Sequence, residues 1–153
     1  MKVLFDTNII IDIWQQDPRF FLQSFAAYDV CMLRAWEACI AVTSVPDIEY
    51  LLVARRVLPK REIAAAMEKL LSLFTVIDAQ QCDCICAHQS VAQGAMPDLE
   101  DGIIAYSAQR NGVDALVTRN TRDFKQAPVP ALEPEEFVRL YKPAGAEYSL
   151  EEF

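Results

Sequence analysis

The stretch PDLEDGIIAYSAQRNGVDALVTRNTRDF, residues 97–124, contains the features that decide the fold. Asp98 is a predicted helix N-cap, and Asp101 stands at the third helical position, as the acid of a capping box does. Apolar and small residues follow at helical spacing until Asn-Gly at 111–112 supplies a left-handed stop. The apolar run at 115–117 is then typical of a buried parallel strand. The stretch therefore predicts a helix that leads directly into a strand of a parallel sheet.

Strands and helices alternate outward from this stretch along the rest of the chain. This alternation predicts an α/β fold in which a mostly parallel sheet is covered by helices on both faces. The predicted strands are residues 2–5, 40–42, 74–77, 115–117 and 129–132, the last at an edge because two prolines interrupt its ladder. The predicted helices cover about 9–14, 20–39 with an irregularity near 28–29, 46–56, 60–73 with Ala64, Met67, Leu70 and Leu71 inward, 80–93, 98–111 and 133–141.

Four aspartates fall where such a sheet binds ligands. Asp6 and Asp123 follow predicted strands, Asp47 lies in the first turn of a helix that follows another, and Asp101 begins the central helix. Because the carboxyl ends of parallel strands meet at one edge, we expect these carboxylates to converge there. Clustered carboxylates repel one another, and a hard divalent cation such as Mg²⁺ or Mn²⁺ removes that cost. Two such ions would activate water for phosphodiester cleavage.

A simpler interpretation assigns each aspartate to the cap of its own helix. For an isolated Asp-Thr-Asn, as at residues 6–8, an N-cap is the commoner role. Capping explains each acid separately, but it does not explain why all four fall on one edge. Both interpretations stay open at the level of these residues alone.

Composition restricts the class of protein. The net charge of −8 opposes nucleic-acid binding by bulk electrostatics, so a phosphate-bearing ligand must be met by bound cations or a local basic patch. No apolar stretch reaches the roughly 18 residues that span a bilayer. Asp6 and Asn8 interrupt the apolar N-terminus, which predicts a strand and not an export signal. We therefore expect a cytoplasmic, single-domain protein.

Three of the five cysteines form the run Cys82-Asp-Cys84-Ile-Cys86. A disulfide framework is not expected in a cytoplasmic chain. Alternate residues of a helix point about 200° apart, so the three thiols do not converge on one metal ion. We therefore expect the cysteines to be small buried hydrophobic residues. The single histidine, His88, also argues against a mechanism that needs a Ser-His triad.

Four polar motifs recur at the ends of the predicted elements. They are Asp6-Thr-Asn8, Thr-Ser-Val-Pro-Asp47-Ile-Glu-Tyr, Asp98-Leu-Glu-Asp101 and Val-Thr-Arg-Asn120-Thr-Arg-Asp123-Phe124. Together they resemble the PIN domain family, and within it the bacterial branch whose second acidic motif is Asp-Ile-x-Tyr. The resemblance extends from residue 1 to about residue 141, which leaves 142–153 as a C-terminal tail.

The resemblance implies a three-layer α/β/α sandwich with a five-stranded parallel sheet. It also implies a Mg²⁺- or Mn²⁺-dependent ribonuclease that hydrolyses RNA by metal-activated water, as the toxin of a toxin–antitoxin pair. An antitoxin protein and a homodimer are the partners that follow from it. An antitoxin of this kind commonly inserts a basic side chain into the acidic groove of the toxin.

The resemblance also assigns roles to individual residues. Asp6, Asp101 and Asp123 are the implied metal-binding and catalytic acids. Asp47 matches the second acidic motif, while Glu49, on a different side of the same helix, is its rival. The second-tier acids are Asp98 and Glu100. The expected orienting neighbours are Asn8, Ser44, Thr118 and Asn120, and the basic cluster that would contact RNA, or is ordinary surface charge, is Arg119, Arg122 and Lys125.

Two other functions compete with this one. A catalytically inactive PIN-like module would bind RNA or protein, but such a module would be expected to lose some of the acids. A phosphatase of the haloacid-dehalogenase type would use Asp6 as nucleophile. That family expects a second Asp two residues later, where this chain has Asn8.

Overall fold

The computed structural model describes residues 1–146. Strands and helices alternate along this part of the chain. The strands are β1 (Lys2–Phe5), β2 (Glu37–Ala41), β3 (Thr75–Ile77), β4 (Ala115–Val117) and β5 (Ala131–Leu132). The helices are α1 (Thr7–Gln15), α2 (Phe21–Leu33), α3 (Ser44–Ala54), α4 (Lys60–Leu73), α5 (Gln81–Ala92), α6 (Leu99–Arg110) and α7 (Pro134–Tyr141).

All five strands pair in parallel, in the order β3-β2-β1-β4-β5, so that β1 is central. Alternate residues of β1 face opposite sides of the sheet. Val3 and Phe5 belong to a hydrophobic cluster with residues of α1, α2, α3, α4 and α7, whereas Leu4 belongs to a second cluster with residues of α6. Helices therefore cover both faces, which confirms the predicted α/β/α sandwich.

The second helix is shorter than the sequence pattern predicts. A helix over 20–39 is expected, whereas α2 and β2 divide that segment between them. The chain turns at Ala35, whose φ of 51° is left-handed, and the Trp36 N–H bonds the Cys31 carbonyl at 2.8 Å. This turn uses neither glycine nor proline, so the sequence carries no ordinary stop signal here. The irregularity expected near 28–29 is also wrong, because α2 is continuous there.

The buried face of α4 differs from the predicted one. Ala64 and Leu71 are exposed, and the inward residues are Ile63, Met67 and Leu70. These three recur at i, i+4 and i+7, which is the spacing of one helical stripe. The helix therefore buries a narrower face than the sequence alone indicates.

The cysteines fall into two groups. Cys31 and Cys39 are buried, as expected, but the three cysteines of α5 are exposed. The face of α5 that packs inward consists of Asp83, Ala87 and Ser90. Because that stripe runs between the cysteines, the prediction that all five are buried is wrong for Cys82, Cys84 and Cys86.

The described chain ends with the edge strand β5 and the helix α7. The short strand β5 lies at the edge of the sheet, beyond β4, as its prolines predict. The last helix, α7, ends at Tyr141. Of the predicted tail, residues 147–153 lie outside the described part of the chain. Among residues 1–146, no helix combines the length and the apolar character needed to cross a membrane.

Candidate active site

Asp6 stands at the carboxyl end of β1, where its main-chain N–H bonds the Val117 carbonyl of β4 at 3.0 Å. The residue is only 9% exposed. Its Oδ2 accepts hydrogen bonds from Thr118 Oγ1 at 2.6 Å and from Asn8 Nδ2 at 2.5 Å. Asn8 Nδ2 also donates to Thr118 Oγ1 at 3.1 Å. This triangle of contacts fixes the orientation of the Asp6 carboxylate.

The loop after β4 carries Asp123 into the same hydrogen-bond network. Asn120 Nδ2 donates to Asp123 Oδ2, and the Asp123 N–H bonds the Asn120 carbonyl at 3.1 Å. The Asn120 N–H in turn donates to Thr118 Oγ1 at 3.0 Å. Thr118, which is buried, therefore links the surroundings of Asp6 with those of Asp123.

Asp101 lies in the first turn of α6. Asp98 is the N-cap of this helix, as predicted, because its Oδ1 accepts the Asp101 N–H at 2.9 Å. Asp101 is half-buried, whereas Asp98 is exposed. Gly102 follows, and a Cβ atom at this position would lie 2.9 Å from the Cβ of Ala87 on α5. The missing side chain thus lets the first turn of α6 pack closely on α5, which determines where Asp101 stands.

The N-terminal half of α3 contains the two candidates for the second acid, with Asp47 in its first turn and Glu49 two residues later. Ser44, at the start of the helix, is buried, Asp47 is half-buried and Glu49 is exposed. Burial and the adjacent carboxyl of Asp47, which is close enough for a hydrogen bond, raise the pKa of Glu100. Of the two rivals, Asp47 is therefore the one that contacts an acid of α6.

The pKa values of two of these acids are raised above their usual range. Partial burial and the negative charges of Asp98, Asp6, Asp123 and Glu100 raise the pKa of Asp101 to about 7. Burial also raises the pKa of Asp6, although its hydrogen bonds act in the opposite direction. Within residues 1–146, none of these acids forms an ion pair with a basic side chain. The carboxyl edge of the sheet therefore carries an excess of negative charge.

A hard divalent cation suits this edge in chemistry and in charge. The available donors are carboxylate oxygens, the ligands that Mg²⁺ and Mn²⁺ prefer. The residues that could hold such an ion are Asp6, Asp101 and Asp123, with Asp47 nearby. Among residues 1–146, however, no three His, Cys, Asp or Glu side chains already stand close enough together to coordinate one ion. The acids would therefore have to approach one another as they bind it.

The three basic residues after β4 lie in two different environments. Arg119 Nε forms an ion pair with Asp12 Oδ2 at 2.7 Å, and its guanidinium carbon lies 4.2 Å from the centre of the Phe20 ring. Arg122 and Lys125 are exposed and form no ion pair with any of residues 1–146. The side chain of Arg119 is thus engaged within the protein, unlike the other two.

Sequence reasoning missed Asp12, a buried acid that is 2% exposed. Besides its ion pair with Arg119, its Oδ2 accepts a hydrogen bond from Ser24 Oγ of α2 at 3.0 Å. The sequence does indicate that Asn8 and Asp12 act together, because the two residues are four apart and so lie on one face of α1. The ion-pair partner of Asp12 is Arg119, which lies 107 residues later in the chain, and no sequence pattern links the two residues.

Solved structures of several proteins have the same fold. A toxin–antitoxin complex from Klebsiella pneumoniae is 26% identical over 88% of this chain and 98% of that chain, with a TM-score of 0.63. DNA-bound VapBC from Salmonella typhimurium is 22% identical over 88% and 98%, with a TM-score of 0.64. VapBC2 from Rickettsia felis, bound to a DNA fragment from their promoter, is 18% identical over 87% and 98%, with a TM-score of 0.62.

None of the curated proteins matches this sequence. A family model described as "PIN domain" matches residues 2–122, which is most of the chain and includes Asp6, Asp47 and Asp101. The chain therefore belongs to the PIN domain family.

Proposed function

We propose that the protein is a metal-dependent endoribonuclease that hydrolyses RNA phosphodiester bonds. The observation that carries this proposal is the unpaired negative charge at the carboxyl edge of the sheet, where neighbouring acids and burial raise the pKa of Asp101 to about 7. Such an arrangement destabilises the metal-free fold, so a cluster of perturbed acids at one edge of the sheet favours a functional site. Membership of the PIN domain family supports the same conclusion.

In this proposal, Asp6, Asp101 and Asp123 hold Mg²⁺ or Mn²⁺, and Asp47 is the fourth acid. When bound, such an ion supplies an activated water and positive charge beside the leaving oxygen. The chain's own residues orient the acids around it. Thr118 and Asn8 hold the Asp6 carboxylate by hydrogen bonds. These bonds would keep the Asp6 carboxylate in place while the other acids approach the ion.

The RNA substrate would be contacted by the exposed cations beside the acids. Arg122 and Lys125 lie in the loop that carries Asp123, and both are exposed. Each is therefore free to approach a phosphate of the RNA chain without breaking an ion pair of the described residues. Because the net charge of the chain is −8, these local cations and the metal ion would oppose the repulsion of RNA by the rest of the surface.

We further propose that the protein is the toxin of a toxin–antitoxin pair. This rests on the similarity to the Klebsiella pneumoniae toxin–antitoxin complex, which covers 88% of the chain. The excess negative charge of the acid site would accept a basic side chain of an antitoxin. A homodimer is the proposed assembly, and Leu22 and Leu33, both exposed on α2, offer apolar surface for it.

The test is cleavage of a mixed single-stranded RNA by the wild type in Mn²⁺, in Mg²⁺ and in a chelator. We expect cleavage that requires either metal and is lost in Asp101→Asn. Glu49→Gln, which changes an exposed acid two residues from Asp47, is the matched control and should cleave normally. If the wild type neither cleaves RNA nor binds a divalent ion, the inactive binding module replaces the nuclease as the function.

A further inference from the structure

Two residues on one face of α1 contact the same residue of the loop after β4. Asn8 and Asp12 are four positions apart, so their side chains leave the helix in nearly the same direction. Asn8 Oδ1 accepts the main-chain N–H of Arg119 at 3.2 Å. Asp12 Oδ2 forms an ion pair with Nε of the Arg119 side chain at 2.7 Å. Arg119 is thus attached to α1 at both its backbone and its guanidinium.

Several contacts hold Arg119 at Asp12. Asp12 is 2% exposed, and the same Oδ2 atom also accepts a hydrogen bond from Ser24 Oγ at 3.0 Å. The Arg119 guanidinium lies over the Phe20 ring, 4.2 Å from its centre. A charged group paired at this distance and stacked on an aromatic ring has few other low-energy positions. The contacts therefore join α1, the start of α2 and the loop after β4.

The residues on either side of Arg119 belong to the acid site. Thr118 donates to Asp6 at 2.6 Å, and Asn120 donates to Asp123. The Asn120 N–H also bonds Thr118 Oγ1 at 3.0 Å. Any displacement of Arg119 therefore moves the hydrogen-bond donors of two acids, Asp6 and Asp123, at the same time.

We infer that Asp12 is a positioning residue for the metal site, which acts through Arg119 to set the placement of Asp6 relative to Asp123. The inference rests on the proposed function, since it concerns how well the acids bind a divalent ion. Asp12 itself contacts neither acid. It restrains Arg119, and with it the loop from which Thr118 and Asn120 reach them.

A second buried Asp–Arg pair provides a matched control. Asp83, 3% exposed, accepts hydrogen bonds from Arg110 Nε at 2.9 and 3.1 Å. This pair joins α5 to the C-terminal end of α6, whereas Asp101 lies at the N-terminal end. Asp83→Asn and Asp12→Asn therefore make the same chemical change at equally buried acids, but only Asp12 is linked to the acid site.

The experiment is calorimetric titration of Mn²⁺ into the wild type, Asp12→Asn and Asp83→Asn, with the melting temperature of each metal-free protein measured in parallel. We expect both variants to melt at lower temperature than the wild type. Asp12→Asn should bind Mn²⁺ roughly tenfold or more weakly, the usual effect of losing a residue that orients metal ligands. Asp83→Asn should bind Mn²⁺ as the wild type does.

Variants of Arg119 extend the test to the other partner. Arg119→Gln should weaken Mn²⁺ binding about as much as Asp12→Asn, and the double variant should be no weaker than either, because both changes break one link. Arg119→Lys, which keeps a cation for Asp12, should recover part of the affinity. It also keeps the inference testable if Asp12→Asn does not fold.

The outcomes separate the inference from the proposed function. Absence of Mn²⁺ binding by the wild type overturns the proposed function and the inference with it. Equal Mn²⁺ affinity of the wild type and Asp12→Asn overturns the inference alone. Additive losses in the double variant, or an equal loss in Asp83→Asn, also overturn it, since either result shows a general effect of stability.

Discussion

Acids lie at both ends of α6, but only those at the C-terminal end pair with a basic side chain of the described residues. At the C-terminal end, Arg110 forms ion pairs with Asp83 and Asp78, each at 2.9 Å. Burial opposes the ionisation of Asp83, but the hydrogen bonds from Arg110 and from the Gln80 N–H, together with the charge of Arg110, outweigh it and lower the pKa of Asp83. Gln80 and Arg110 likewise lower the pKa of Asp78 by hydrogen bonds. Both acids at this end are therefore paired with a basic side chain of the protein.

At the N-terminal end, no basic side chain of the described residues balances the acids. Burial and neighbouring carboxylates raise the pKa values of Asp101 and Glu100. The protein does pair a buried acid with arginine elsewhere, as Asp83 and Arg110 show at the C-terminal end of α6. An unpaired cluster therefore indicates that something outside the chain supplies the positive charge, and we propose that it is a divalent cation.

The largest expected difference comes from an Asp→Asn substitution made at each end of α6. Asp101→Asn should reduce RNA cleavage at least about a hundredfold, since it removes charge that holds the metal. Its metal-free form should nevertheless melt at the same or a higher temperature than the wild type, because repulsion is relieved. Asp83→Asn should do the reverse: it leaves Arg110 without its buried acid and lowers the melting temperature by several degrees, while cleavage is retained. Cleavage assays and thermal melts in chelator measure both effects, and a large stability loss in Asp101→Asn would contradict the comparison.

The next effect concerns which residue of α3, Asp47 or Glu49, belongs with the acids at the N-terminal end of α6. Asp47→Asn should weaken cleavage roughly tenfold or more, because Asp47 lies against Glu100 of α6. Glu49→Gln should change cleavage by less than about twofold, since this side chain is exposed. Steady-state cleavage rates at saturating Mn²⁺ distinguish the two. The reverse ranking would make Glu49 the second acid.

Substitution of two glycines by alanine tests how closely each end of α6 is packed. Gly102→Ala places a Cβ atom 2.9 Å from the Cβ of Ala87, and should destabilise the fold by about 1–3 kcal/mol by overpacking, partly offset by better helix propensity. Because α6 must shift at Asp101, Mn²⁺ affinity should fall as well. Gly112→Ala, at the C-terminal end, meets no atom within 4 Å but has a φ of 69°, so about 1–2 kcal/mol of strain is expected without loss of affinity. Urea unfolding and Mn²⁺ titration of both variants check this, and equal affinity losses would show that the position of Asp101 is unimportant.

The last effect is on the pH dependence of stability, and its sign differs between the two ends of α6. The pKa of Asp101 is about 7 in the folded protein against an ordinary value of 3.8, so the folded state binds more protons between these values. Stability of the metal-free protein should therefore fall as pH rises through this window. Asp83, with a lowered pKa, contributes stability that is lost only as pH falls below about 4. Urea unfolding at pH 5 and pH 8 in chelator should show the decrease in the wild type and a smaller one in Asp101→Asn.

The sequence predicts the fold well where local signals are strong. The bounds of β1, α4 and β4 agree with the structure, and Asp98 caps α6 as its position indicates. The end of α2 could not be predicted, because the left-handed residue is Ala35 and the turn lacks glycine or proline. Trp36, which packs against Phe137 and Tyr141 of α7, depends on contacts that form only in the folded chain.

The candidate site shows the same division. The four motifs place acids at the ends of elements, and parallel topology is enough to predict that these ends meet. The partner of Asp12 could not be predicted, since Arg119 lies 107 residues away and reads as an ordinary surface cation. The exposure of the α5 cysteines was equally hidden, because the composition of that helix does not show which stripe faces α6.

The most direct test is to count the protons released when Mn²⁺ binds, by calorimetry near pH 7 in two buffers of different ionisation enthalpy. Because burial and neighbouring carboxylates raise the pKa of Asp101 to about 7, a fraction of the protein molecules carry its proton near this pH before the metal binds. The account predicts Mn²⁺ binding with release of a substantial fraction of a proton, and much less release in Asp101→Asn. Absence of Mn²⁺ binding, or equal proton release by the two proteins, would contradict it.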